Sequence, residues 1–345
     1  MSDRRTHQHE KLARIYDDEI LPIWAERFGR MILRGLDLPP KATLLDVSCT
    51  TGYPAHEIAR RMDEQSKLVA IDSSSALLDV ARKKLSDVAR GRIFFRTQRA
   101  YPKLPFTSDV FDVVFSNLGL LDMPSPSRAL RDFARVAKPG GRVIATLPLA
   151  GSWQEFHDLF REVLVKSDQL PMIERLDKLV AAAPDAATCE GWLVGAGLDD
   201  ARVDVEEFTL LFRSAREFFF APVVEFGPLP HWKAIAGRGP ELQDTFWAIK
   251  EAIDAYFGAR AFQITIKAGC LSGFKSAAAE ASDDFTGPLE MAGETYEDGE
   301  PLSTSEVELI EDEGALAAEA LDILEESDEE LEALRPSPRG RDEPR

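Results

Sequence analysis

Cysteine is scarce in this chain of 345 residues. Only Cys49, Cys189 and Cys270 occur, an odd number without the spacing that a disulfide framework or a zinc site requires. No metal is therefore expected, and the compartment is expected to be reducing. Long apolar runs are also missing: none approaches the roughly 18 residues that span a bilayer. Residues 1–19 are charged and have no apolar centre suited to export. Both absences predict a soluble, cytoplasmic protein with no membrane partner. Basic excess is absent as well. The net charge is -19, and residues 276–345 carry 23 acidic side chains against four arginines, leaving 37 of each sign in residues 1–275. That balance argues against nucleic acid as a ligand. It also marks 276–345 as an acidic, largely disordered tail, because so little apolar surface cannot offset the entropy of ordering. Within it Leu309, Leu316, Ala320, Ile323, Leu324, Leu331 and Leu334 recur at helical spacing. The tail is thus either a solvated appendage or an amphipathic helix over 306–334 that folds onto a basic protein partner.

What is present is an alternation of strand and helix patterns. Residues 43–47 and 68–71 are short, continuous and rich in branched side chains, as strands covered on both faces must be. Helical residues 54–61 lie between them, making a right-handed crossover unit whose ligand lies outside the carboxyl ends of the strands. Each strand carries a carboxylate toward that end, Asp46 and Asp72. The pattern predicts an α/β, doubly wound, mostly parallel sheet with helices on both faces.

The frame Asp46, Ser48, Thr50, Gly52, then Asp72 closing the second strand, resembles the class I S-adenosylmethionine-dependent methyltransferases. Further signals follow in that family's order: Leu104-Pro105-Phe106 before Phe111–Asn117, the Lys138-Pro139-Gly140-Gly141 turn, Ala196-Gly197-Leu198 before a sixth strand near 202–212, and a last strand at 261–268. The resemblance covers roughly residues 10–275. It implies a seven-stranded Rossmann-like sheet and S-adenosyl-L-methionine as cofactor, held by Asp46, Ser48, Thr50, Gly52, Asp72, Ser73, Arg99, Ala100 and Asn117. Asp72 would accept hydrogen bonds from the ribose hydroxyls. Ser48 and Thr50 stand at two of the three motif glycines, and Arg99 stands where many relatives carry an acid. Thr50 either crowds the pocket, since a branched side chain costs freedom at positive φ, or donates its hydroxyl to the cofactor carboxylate.

Methyl transfer is an in-line displacement, so the protein must align the acceptor, exclude water and for some acceptors take a proton. His56, His157 and His231 are the candidate bases, each also readable as a surface or packing residue, with Tyr16 and Tyr53 behind them. Trp153, residues 218–220 and Trp232 read as core or pocket wall. Ser116-Asn117-Leu118-Gly119 lacks the Asn-Pro-Pro-Tyr arrangement of enzymes that methylate planar amino groups. The stretch 115–156 is similar to the branch acting on small molecules or carrier-bound acids. Domain expectations follow: a methyltransferase-like body at 1–275, with lid helices at 10–40 broken at Pro22, a cofactor core at 43–148, acceptor-side helices and strand six at 149–260, and the last strand at 261–268. Ser127 is expected to cap the helix ending near Val136. The second reading is a catalytically inactive module that recruits a partner through its acidic tail.

Overall fold

The computed structural model describes residues 2–88, 91–258 and 260–277, and these fall into two compact units. The larger is built on residues up to Arg213 together with the segment from Arg260 onward. Its strands are β1 (Thr43–Val47), β2 (Lys67–Asp72), β3 (Ile93–Thr97), β4 (Phe111–Asn117), β5 (Ala137–Pro148), β6 (Leu198–Phe212) and β7 (Phe262–Lys275). They form one sheet in the order β3-β2-β1-β4-β5-β7-β6. The pairings from β3 through β5 are parallel, and β7 runs antiparallel between β5 and β6.

The helices are α1 (Ser2–Ile15), α2 (Glu26–Arg34), α3 (Ala55–Arg61), α4 (Ser75–Leu85), α5 (Pro126–Val136), α6 (Gln154–Lys166), α7 (Leu170–Ala181) and α8 (Ala186–Gly195). Leu130, Phe133 and Ala134 of α5 are buried with Leu45, Val114 and Val143 of the sheet and Leu193 of α8. Burying a side chain the size of Phe133 contributes about 1.5–3 kcal/mol. Strand order reverses at β1, whose neighbours are β2 and β4. A doubly wound sheet opens its ligand crevice at that point.

Three local expectations are corrected. Pro22 does not break the amino-terminal helix: Tyr16–Ala25 is a π-helical segment, with the Glu26 N–H reaching back five residues to the Leu21 carbonyl. The wider turn accommodates a ring that would clash in an α-helix. Ser125, not Ser127, occupies the cap of α5, because Pro126 opens the helix at its first position, where a missing N–H is harmless. The last strand runs on to Lys275 and strand six begins at Leu198, since each pairs with the other along nearly its whole length. β3 lies at the edge of the sheet and none of its residues is fully buried.

The second unit comprises α9 (Ala215–Phe220), α10 (Pro222–Glu225), α11 (Leu229–Ala236) and α12 (Pro240–Phe257). Ser214 caps α9, its hydroxyl accepting the Glu217 N–H at 3.1 Å. Phe218 stacks on Trp232 at 5.9 Å between ring centres, and Phe219 meets Phe246 at 5.5 Å. The acidic tail beyond residue 277, including the helix expected at 306–334, lies outside the described residues.

Candidate cofactor site

β1 delivers its chain into a turn whose backbone has the conformation glycine favours. Ser48 has φ 60°, Thr50 φ 48° and Gly52 φ 91°. Left-handed backbone costs about 1–2 kcal/mol for a residue with a Cβ, so Ser48 and Thr50 are held there by their surroundings. The Thr50 N–H donates to Asp72 Oδ2 at 2.9 Å, and the Cys49 N–H donates to the Ile71 carbonyl at 3.0 Å. Ser48 is accommodated by Gly119: a Cβ there would lie 2.4 Å from Ser48 Cβ. Gly52 is required twice over, since a Cβ would also fall 2.8 Å from Leu85 Cδ1.

Asp72 ends β2 and is 6% exposed. Its Oδ1 accepts the Ser74 N–H at 2.8 Å, so the carboxylate ties the first turn to the cap of α4, where the Ser74 hydroxyl accepts the Leu77 N–H. Each oxygen keeps acceptor capacity for a further donor. Burial raises the Asp72 pKa, and the backbone N–H groups of Ser74, Thr50 and Ser73 oppose that rise. Asp46, beside Ala70 on β2 and Phe115 on β4, is fully buried. Neither of its oxygens has a hydrogen-bond partner among the described residues. Burial first and the Asp72 charge second push its carboxyl well above the ordinary range. An orphaned buried acid beside a second acid fits a cationic, hydroxyl-bearing ligand.

Tyr16, half-buried at the start of the π-helical segment, has the Thr50 side chain near its hydroxyl. Burial raises its phenol to about 12, and Asp72, Asp122 and Asp17 add to that rise, so the hydroxyl stays protonated at neutral pH. The amino-terminal lid thus reaches the cofactor turn through one side chain.

Asn117 Nδ2 donates to the Ala25 carbonyl at 3.1 Å, while its Oδ1 accepts from Thr146 Oγ1 at 2.7 Å. Both polar ends are therefore engaged inside the protein, and the residue braces the π-helical segment against β4 and β5 instead of presenting a free amide. Arg99 is exposed just past β3, Ala100 is half-buried against the sheet's hydrophobic cluster, and Ser73 is exposed beside Asp72. His56 is half-buried in α3, 3.4 Å from Glu57 Oε1. His157 is buried in α6, where burial and then Arg161 lower its pKa to about 4 and keep it neutral. His231 is exposed on α11 of the second unit. The structure thus gathers Asp46, Ser48, Thr50, Gly52, Asp72 and Tyr16, and does not gather the three histidines. Gly119 was missed; its only signal is a small residue two places after Asn117. Among the described residues no group of three His, Cys, Asp or Glu side chains is disposed to hold a metal.

Residues 45–145 match the family model described as a methyltransferase domain. Residues 45–145 thus carry a methyltransferase domain, and its strand order and paired acids agree with the resemblance to the class I S-adenosylmethionine-dependent kind. The chain is similar to the demethylmenaquinone methyltransferase of Lactococcus lactis subsp. lactis, at 32% identity over 45% of this chain and 65% of that protein. It is also similar to the ubiquinone/menaquinone biosynthesis C-methyltransferase of Idiomarina loihiensis, at 29% identity over 48% of this chain and 69% of that one. The matches to the curated relatives thus span about two thirds or less of their length. A putative methyltransferase structure from Bacillus halodurans aligns at TM-score 0.49 and 17% identity, covering 72% of this chain and 98% of that one.

Proposed function

We propose that the chain is an S-adenosylmethionine-dependent methyltransferase acting on a small-molecule or carrier-bound acceptor in the cytoplasm. The observation that carries this reading is the pair Asp46 and Asp72 at the ends of adjacent parallel strands, around a turn kept in glycine-like geometry by residues that are not glycine. When bound, S-adenosylmethionine supplies a sulfonium methyl group open to in-line displacement. Asp72 is the acceptor for the ribose hydroxyls, with its orientation set by the Thr50 and Ser74 N–H groups. A cationic ligand near Asp46 would favour the ionised form of a carboxyl that burial otherwise keeps protonated. Tyr16 closes over Thr50 and excludes water. No histidine is assigned as base, so the acceptor's own acidity governs proton loss.

The relatives' names make a demethylated quinone ring the first acceptor to try. The full chain, given S-adenosylmethionine with a labelled methyl group and a demethylmenaquinone analogue, is expected to yield labelled product. Absence of transfer to any acceptor from a protein that still binds the cofactor would favour the inactive module. The strain at Ser48 and Thr50 is the observation on that module's side.

A further inference from the structure

A groove of about 540 Å³ lies beside α2 and shares no residue with the cofactor turn. Arg27, Arg30, Leu33, Arg34 and Arg61 line it from α2 and α3, and Glu206, Glu207, Phe208 and Ala268 line it from β6 and β7. Its volume falls in the range of small-molecule sites. Arg27, Arg30 and Arg34 share one helical face through their spacing.

These arginines are not equally committed. Arg30 pairs with Glu26 at 2.7 Å, Arg34 pairs with Glu206, and Glu207 faces Lys267 at 3.8 Å. Arg61 Nη1 donates to the Leu33 carbonyl at 2.7 Å, which leaves the rest of that guanidinium unspent. The Arg27 guanidinium lies 5.8 Å from the Phe208 ring centre. Among the described residues neither Arg27 nor Arg61 has a carboxylate partner. Two guanidinium groups without a carboxylate partner among the described residues therefore line a groove that also includes Leu33, Phe208 and Ala268. Phe208 also packs edge-on against Trp24 and Phe28, which holds its ring as a flat wall.

We propose that this groove binds a phosphate monoester with an apolar or aromatic body, the phosphate between Arg27 and Arg61 and the body against Phe208. A dianion matches two guanidinium groups that have no carboxylate partner among the described residues, and its several oxygens suit their bidentate geometry better than one carboxylate would. The proposal stands independently of cofactor binding.

The test titrates the full chain at pH 7.5 with phenyl phosphate and with inorganic phosphate, and measures flotation with vesicles of phosphatidylcholine with or without phosphatidic acid, whose headgroup is a phosphate monoester. Phenyl phosphate should bind more tightly than inorganic phosphate, and Arg27→Ala/Arg61→Ala should weaken it by about tenfold or more. Binding of the soluble ester assigns a free metabolite, whereas vesicle binding alone, lost in the same variant, assigns a lipid headgroup. Should the double variant fold poorly by circular dichroism, Arg27→Gln at its exposed position reports the same loss to a smaller degree. No binding to the ester, to phosphate or to the vesicles, or binding unchanged in the variants, overturns the proposal.

Discussion

At the scale of single residues, the site's character comes from side chains held in places that suit other residues. Ser48 keeps a left-handed backbone because Gly119 leaves room for it. Gly119→Ala is therefore expected to destabilise the fold by about 1–3 kcal/mol through overpacking. Ser48→Gly in the same chain should recover part of that loss, leaving the clash with Ser116 Oγ, 2.9 Å from the added Cβ. A double-mutant cycle by chemical denaturation reads the coupling directly, and strict additivity would contradict the contact.

Asp46 gives a second prediction. Its folded-state pKa is raised, so ionisation opposes folding: the penalty is absent below the unfolded value near 3.8 and grows as pH rises toward the folded value. Asp46→Asn should raise the stability of the ligand-free protein by about 1–3 kcal/mol at pH 7, and the gain should shrink toward pH 4. The same change should weaken binding of the cationic cofactor. Thermal melts across pH, with and without ligand, distinguish this trade from a simple loss of fold.

At the scale of elements, the π-helical segment Tyr16–Ala25 links sequence to site. Pro22 cannot donate to an α-helical ladder, and the π-helical segment that contains it begins at Tyr16, near Thr50. Pro22→Ala allows the segment to tighten to α-helical pitch, which rotates Tyr16 away from Thr50. Both Pro22→Ala and Tyr16→Phe should weaken cofactor affinity, by about threefold to tenfold, the scale of one hydrogen bond. Retention of full affinity in both would remove the lid from the site. The sequence could not disclose this element, because proline in an apolar pattern ordinarily signals a break. β1, β2, β4 and α5 were legible for the opposite reason: their apolar runs and spacing agree with the local structure they adopt.

At the scale of the whole molecule, the crossover order and the acids at two strand ends were readable from spacing, since a carboxylate at a buried strand's end has few structural reasons to be there. What the residues contact was not readable. Asn117 falls at the expected strand end, yet its amide is consumed by Ala25 and Thr146, two partners 92 and 29 residues away in the chain. The three histidines were chosen by chemistry alone, and only the packed chain shows one buried and neutral in α6 and another exposed on a separate unit. The room for Ser48 comes from Gly119, through a contact across the loop after β4 that no local pattern carries.

The account depends on a crevice that takes a sulfonium nucleoside, and calorimetric titration of the full chain with S-adenosylhomocysteine tests that most directly. The account predicts saturable binding in the micromolar range and a loss of about tenfold or more in Asp72→Ala, which removes a charge-assisted acceptor. No heat at millimolar ligand, or an Asp72→Ala titration indistinguishable from the parent, would contradict it.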